Sequence, residues 1–171
     1  SVDGAEVEVS WQASANLRVH SSIAWIDAAY DDFAGAQCVE DFSGAPANAD
    51  CDPVTNTENE KGEKLERSPE LEFKLSALWE SQLTDTMRLE ALASIYHSVQ
   101  PTQAGYATQD SFAKYDARLA VVANDSRWEV GLTGRSLGDE MVIQHAYNIA
   151  GNQFQSLGMG RSYTLEVVLH F

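Results

Sequence analysis

Apolar residues recur at every second position along this chain, and they do so in seven separate segments, so the pattern is that of strands rather than helices. In the first, Ala5, Val7, Val9, Trp11 and Ala13 alternate with Glu6, Glu8, Ser10 and Gln12. The second sets Leu17, Val19, Ser21, Ile23 and Trp25 against Arg18, His20, Ser22 and Ala24. Leu71, Phe73, Leu75, Ala77 and Trp79 then interleave with Glu72, Lys74, Ser76 and Leu78. Met87, Leu89, Ala91, Ala93 and Ile95 follow against Arg88, Glu90, Leu92 and Ser94. The fifth segment opposes Ala113, Tyr115, Ala117, Leu119 and Val121 to Lys114, Asp116, Arg118 and Ala120. The sixth opposes Trp128, Val130, Leu132 and Gly134 to Glu129, Gly131, Thr133 and Arg135. The last is the most regular: Tyr163, Leu165, Val167, Leu169 and Phe171 point one way, and Ser162, Thr164, Glu166, Val168 and His170 the other. Strands are predicted over residues 4–13, 17–30, 68–83, 86–98, 112–123, 127–137 and 160–171.

Segment length and loop length sharpen this reading. Most apolar sets span about nine residues, the reach a tilted strand needs to cross hydrocarbon, whereas strands of soluble proteins average about five or six. Connections alternate between short (Ser14 to Asn16, Thr84 to Asp85, Asn124 to Ser126) and long (Asp31 to Arg67, Val99 to Ser111, Gly138 to Gly160). Outer-membrane barrels sort their loops in this way, with tight turns toward the periplasm and long loops outside. The expected fold is therefore all-β: an antiparallel meander of seven long strands forming part of a transmembrane β-barrel over residues 1–171. Seven is an odd count, and an open sheet in lipid leaves unpaired edges, so the chain reads as a fragment or processed product whose remaining strands come from upstream sequence or another chain. The lack of an initiator Met and of a signal peptide fits that expectation.

Aromatic placement is consistent with the same picture. With short turns at the periplasmic side, Trp11, Trp79, Trp128 and Phe171 fall near the lower rim on the apolar parity, and Trp25, Tyr115 and Tyr163 near the upper rim. Rings with one polar edge favour the membrane interface, so two girdles are expected; an ordinary core residue is the alternative for any one of them. The opposite parity, with Glu6, Glu8, Glu72, Lys74, Arg88, Glu90, Lys114, Asp116, Arg118, Glu129, Arg135 and Glu166, is expected to line a wet lumen, as mutual ion pairs or as substrate contacts.

Charge excludes one class of partner. Eleven basic residues face 26 acidic ones, a formal net charge of −15, which leaves no clustered Lys and Arg to hold nucleic acid. No apolar run approaches the roughly 18 residues of a membrane-spanning helix. Cys38 and Cys51 sit in a polar stretch, Gln37 to Lys64, with no third Cys or His beside them, which favours a disulfide in an oxidising compartment over a metal site. The acidic loop bearing Asp31, Asp32, Glu40, Asp41, Asp50 and Asp52 has the hard oxygen ligands that suit calcium, and also the composition of a solvated loop. His20, His97, His145 and His170 have no ligand spacing, and no cofactor or metal is expected. Neither a nucleophile elbow nor a phosphate-cradling loop is present, so no enzyme is expected. Tyr147 and Phe154, in an otherwise polar outer loop, are candidate ligand contacts.

Several segments then resemble one family. Leu65-Glu66-Arg67-Ser68-Pro69-Glu70 before a strand is similar to a segment of TonB-dependent receptors, and so is Gly160-Arg161-Ser162-Tyr163-Thr164-Leu165 running to Phe171. Tyr115-Asp116-Ala117-Arg118-Leu119 and Trp128-Glu129-Val130 followed by Gly134-Arg135-Ser136-Leu137 resemble that family's final hairpin, which often carries Asn where Ser136 stands. The resemblance covers essentially the whole chain and rests on the order and spacing of these pieces. It implies an outer-membrane barrel of about 22 strands around a plug, taking up a scarce nutrient such as an iron chelate in a Gram-negative bacterium. Implied partners are membrane lipid, the remaining strands and the plug, and the outer-membrane assembly machinery, which would recognise Phe171. The energising inner-membrane complex would be reached through an N-terminal part not seen here. A passive porin-like channel and a soluble β-sandwich binding module are the alternatives.

Overall fold

The computed structural model describes residues 1–38, 50–99, 109–149 and 152–170. Seven strands form one antiparallel sheet and four short strands form two ribbons. In chain order these are β1 (Val2–Ser14), β2 (Leu17–Ala28), β3 (Ala36–Gln37), β4 (Thr57–Glu58), β5 (Leu71–Thr84), β6 (Met87–Val99), β7 (Phe112–Ala123), β8 (Trp128–Arg135), β9 (Ile143–Ile149), β10 (Asn152–Leu157) and β11 (Ser162–Leu169). The large sheet runs β1-β2-β5-β6-β7-β8-β11, a meander with each strand beside its predecessor, and it is not closed among the described residues.

Short and long connections alternate along the meander. The two tightest turns share one design. In β1 the Gln12 side-chain amide donates to the Ser14 carbonyl (2.7 Å), and the Asn16 amide donates to Ser14 Oγ (3.2 Å). In β5 the Gln82 amide donates to the Thr84 carbonyl, and the Thr86 amide to Thr84 Oγ (3.3 Å). Both strands shift register at this point, between Gln12 and Ser14 and between Gln82 and Thr84. A glutamine two residues before a hydroxyl thus satisfies carbonyls that the sheet ladder releases at the turn. The third short turn docks on the second, with Asn124 Nδ2 donating to the Asp85 carbonyl (3.0 Å) and Ser126 at a φ of 58°.

Strand ends have local causes. β5 starts at Leu71, three residues later than the alternation predicts, after Arg67 turns left-handed at a φ of 56° and Pro69 removes a donor. β8 ends at Arg135, two residues early. There Ser136 takes a φ of 48°, its amide donates to Asp116 Oδ1 (2.8 Å) and the Leu137 amide donates to the Tyr115 carbonyl (2.8 Å).

The long connections carry structure that alternation does not announce. Between β2 and β5, the β3–β4 ribbon is closed by the Cys38–Cys51 disulfide, with Cα atoms 5.8 Å apart, and by a Cys38 amide to Asn56 carbonyl hydrogen bond of 3.2 Å. Lys64 ties this loop back to the sheet by pairing with Asp27 (2.7 Å) and Glu70 (3.2 Å). Between β8 and β11, the stretch read as a polar loop contains the β9–β10 hairpin. Reducing the disulfide is expected to expose residues 50–58 to protease while the unfolding transition of the sheet stays unchanged. Limited proteolysis beside a denaturant titration checks both.

Candidate functional site: a sheet with two unlike faces

Register assigns every side chain to a face. Trp11 pairs with Val19, and the row continues through Ala77, Ala93, Ala117 and Gly134 to Tyr163. The next row runs Leu17, Trp79, Ala91, Leu119, Leu132, Leu165. The apolar parity of all seven strands therefore falls on one face. Nothing described covers it: each strand touches only its hydrogen-bonded neighbours, and Trp11 is 61% exposed, Leu132 52% and Leu165 71%. A soluble monomer does not leave so continuous an apolar surface in water. Trp25, Trp79, Tyr115 and Tyr163 are exposed on this face and Trp128 is half-buried. Phe171 lies outside the described residues.

The other face is polar and networked. Arg118 on β7 reaches Glu129 on β8, and its Nε lies 3.9 Å from Glu166 on β11. Arg88 pairs with Glu90 (2.8 Å). Small residues fit beneath these side chains: Ala120 and Val122 are buried on the polar side, and a Cβ at Gly131 would stand 2.8 Å from the Arg118 guanidinium. Higher on the wall, Lys74, Tyr96 and Lys114 share one row. The Tyr96 hydroxyl donates to Glu72, its ring meets Phe112 edge-on (5.9 Å, 62°), and Lys74 Nζ lies 5.5 Å from its centroid. Sequence alone places these lysines on the inner parity but does not show which cations find carboxylates, because that depends on register across strands far apart in the chain.

Outside the sheet, Tyr147 on β9 stacks on Phe154 of β10 at 5.4 Å and 14°, both about half exposed. Among the described residues no group of three or more His, Cys, Asp or Glu side chains is arranged to hold a metal ion, and Glu40 and Asp41 lie outside them. Asp52 instead folds its own turn, accepting the Val54 amide at 2.8 Å and the Thr55 amide at 3.4 Å. These two amides hold its carboxyl below the ordinary value of 3.8. The turn is therefore braced in full above that value and loosens as pH falls through the depressed pKa. Protection of the Val54 and Thr55 amides, measured by exchange relative to the intrinsic rate at each pH, is expected to fall once the solution is more acid than pH 3.8.

Two solved structures share this architecture. The ferric yersiniabactin uptake receptor FyuA from Yersinia pestis superimposes with a TM-score of 0.73 at 15% identity, over 99% of this chain and 23% of the receptor. The siderophore receptor PiuA from Acinetobacter baumannii gives 0.65 at 18% identity, over 97% of this chain and 21% of the receptor. The chain thus has the fold of part of the barrel wall of these receptors and spans less than a quarter of their length. No family model matches the sequence, and no curated protein does.

Proposed function

We propose that this chain is a run of seven strands in the barrel of a TonB-dependent receptor in the outer membrane of a Gram-negative bacterium, serving uptake of an iron chelate. Membrane lipid meets its apolar face. The remaining strands pair with its two edges, and a plug stands against its polar face. Assembly depends on the outer-membrane machinery, and transport on the energising inner-membrane complex.

The observation that carries this reading is the placement of the aromatics in the register. Strands lie about 4.8 Å apart and rise about 3.3 Å per residue, and barrel strands tilt by about 35–45°. At about 40°, Trp11, Trp79 and Trp128 come within about 1 Å of one level along the barrel axis, and Trp25, Tyr115 and Tyr163 within about 1 Å of a second, about 18 Å higher. Each pair levels at a tilt between about 35° and 43°, inside the range that barrels use. One angle satisfies all six rings, as two interfacial girdles require. A soluble sheet has no cause to do this.

The test uses the full-length product in cells. It is expected to fractionate with the outer membrane, to migrate faster on a gel unheated than boiled, and to accumulate radiolabelled ferric chelate only while the inner membrane is energised. A product that stays soluble refutes the membrane reading. Accumulation that survives an uncoupler makes the protein a passive channel.

A further inference from the structure

One edge of the sheet is open at β1. That strand bonds β2 along one side, and no described residue pairs with its other side, which leaves a row of main-chain donors and acceptors free. At hydrocarbon depth such groups must be bonded, so the edge takes another strand. Every strand of the large sheet lies beside its predecessor, and short and long connections alternate, with a short one after β1. Continued past Val2, that order sets on the open edge the strand that precedes β1 in the polypeptide, antiparallel to it and joined by a long connection.

Charge specifies what that strand carries. Glu6 and Glu8 are exposed on the polar face of β1, about 6.6 Å apart along the strand. At a tilt of about 40° they stand about 13 Å and 8 Å above the lower aromatics, between the two sets. Their partners across β2 are Ala24 and Ser22, and among the described residues no basic side chain lies within 4 Å of either. Lys74, in the row of Glu8, is two strands away, about 10 Å. The other carboxylates of this face at these depths each meet a donor inside the wall: Glu90 meets Arg88 (2.8 Å), Glu129 and Glu166 meet Arg118, and Asp116 accepts the Ser136 amide (2.8 Å). Glu80 stands about 2 Å below the lower aromatics, at the rim. Within the wall, only the open side of β1 remains to supply a donor to Glu6 and Glu8. Opposite charges facing each other across paired strands stabilise the pair, and like charges there destabilise it.

We infer that the strand seated on the open edge of β1 is a basic one. It presents Lys or Arg on the polar face, directly or diagonally opposite Glu6 and Glu8, and apolar residues on the other face opposite Val7 and Val9. This rests on the reading of the chain as part of a barrel wall, and it specifies the partner strand by direction, register and charge.

The experiment first finds the opposing residues. In the full-length protein, Glu6→Cys and Glu8→Cys are each combined with single cysteines along the preceding strand. Oxidative cross-linking in isolated outer membranes then reports which positions face them, since paired strands bring Cα atoms to about 4.5–5.5 Å, within reach of a disulfide. Lys or Arg is expected at each cross-linking position or two residues from it. Charge reversal by Glu6→Lys with Glu8→Lys is expected to cut the folded, heat-modifiable fraction at least about fivefold, and reversing the opposing cations to Glu in the same protein is expected to restore it. Cross-linking positions with only neutral or acidic neighbours on the polar face overturn the inference and leave the barrel reading standing, because the plug must then bring the cations. A reversal that does no harm, or that the charge swap fails to restore, overturns it equally. A β1 that cross-links to no preceding strand, in a product that stays soluble, sinks both readings.

Discussion

Replacing Leu132 by arginine is expected to cost about 2–4 kcal/mol of stability in phospholipid vesicles, the range measured for a basic residue facing the middle of a bilayer. Leu132 lies on the apolar face in the row that joins Leu17, Trp79, Ala91, Leu119 and Leu165. The tilt that levels the aromatics puts it about 10 Å above the lower set, near the midplane. Ser94→Arg is the matched control. Ser94 stands at similar height on β6 but on the polar face, opposite Asp116, where a new cation has water and a carboxylate beside it. Its cost is expected to stay within about 0.5 kcal/mol. Urea titration of the refolded full-length product reads both. Equal costs for the two variants would mean that the faces meet the same solvent, and the membrane reading would fall.

The contrast between those variants is also the feature most legible in the sequence. A one-layer wall between two solvents writes period-two alternation into every strand, because no second sheet covers either face and blurs the pattern. The seven strands, their antiparallel order and the alternation of loop lengths were readable for that reason. Other features were not. The β9–β10 hairpin interleaves Ile143, Tyr147 and Phe154 with Gln144, His145 and Gln155, and a short ribbon in water need not bury one face. Gln12 with Ser14, and Gln82 with Thr84, act by side-chain hydrogen bonds that no periodicity encodes. Ser136 bends β8 away because Asp116, far from it in sequence, accepts its amide. On the polar face, alternation placed Lys74 and Lys114 on the same side of the sheet. Finding both beside Tyr96 required a register set across one short turn and one long connection.

Arg118 offers the second large effect, on the polar face. Its guanidinium bridges Glu129 and Glu166, and so links β7 to β11 across the intervening β8. Arg118→Met leaves two carboxylates side by side without a counter-charge. Removing one partner from a fully buried pair costs about 3–5 kcal/mol. Here the Arg118 and Glu129 side chains retain 23% and 28% exposure, so about 2–3 kcal/mol is expected. Adding Glu129→Gln and Glu166→Gln to that variant should recover most of the loss, since the cost lies in the stranded charges rather than in a missing attraction. Gly131 provides an independent handle: the guanidinium lies across it, and a side chain there must push Arg118 off its partners. Gly131→Val is therefore expected to destabilise wild type strongly and the Arg118→Met variant much less. A double-mutant cycle giving additive costs would show that Gly131 is needed for backbone conformation alone, and that the bridge does not depend on the space it leaves.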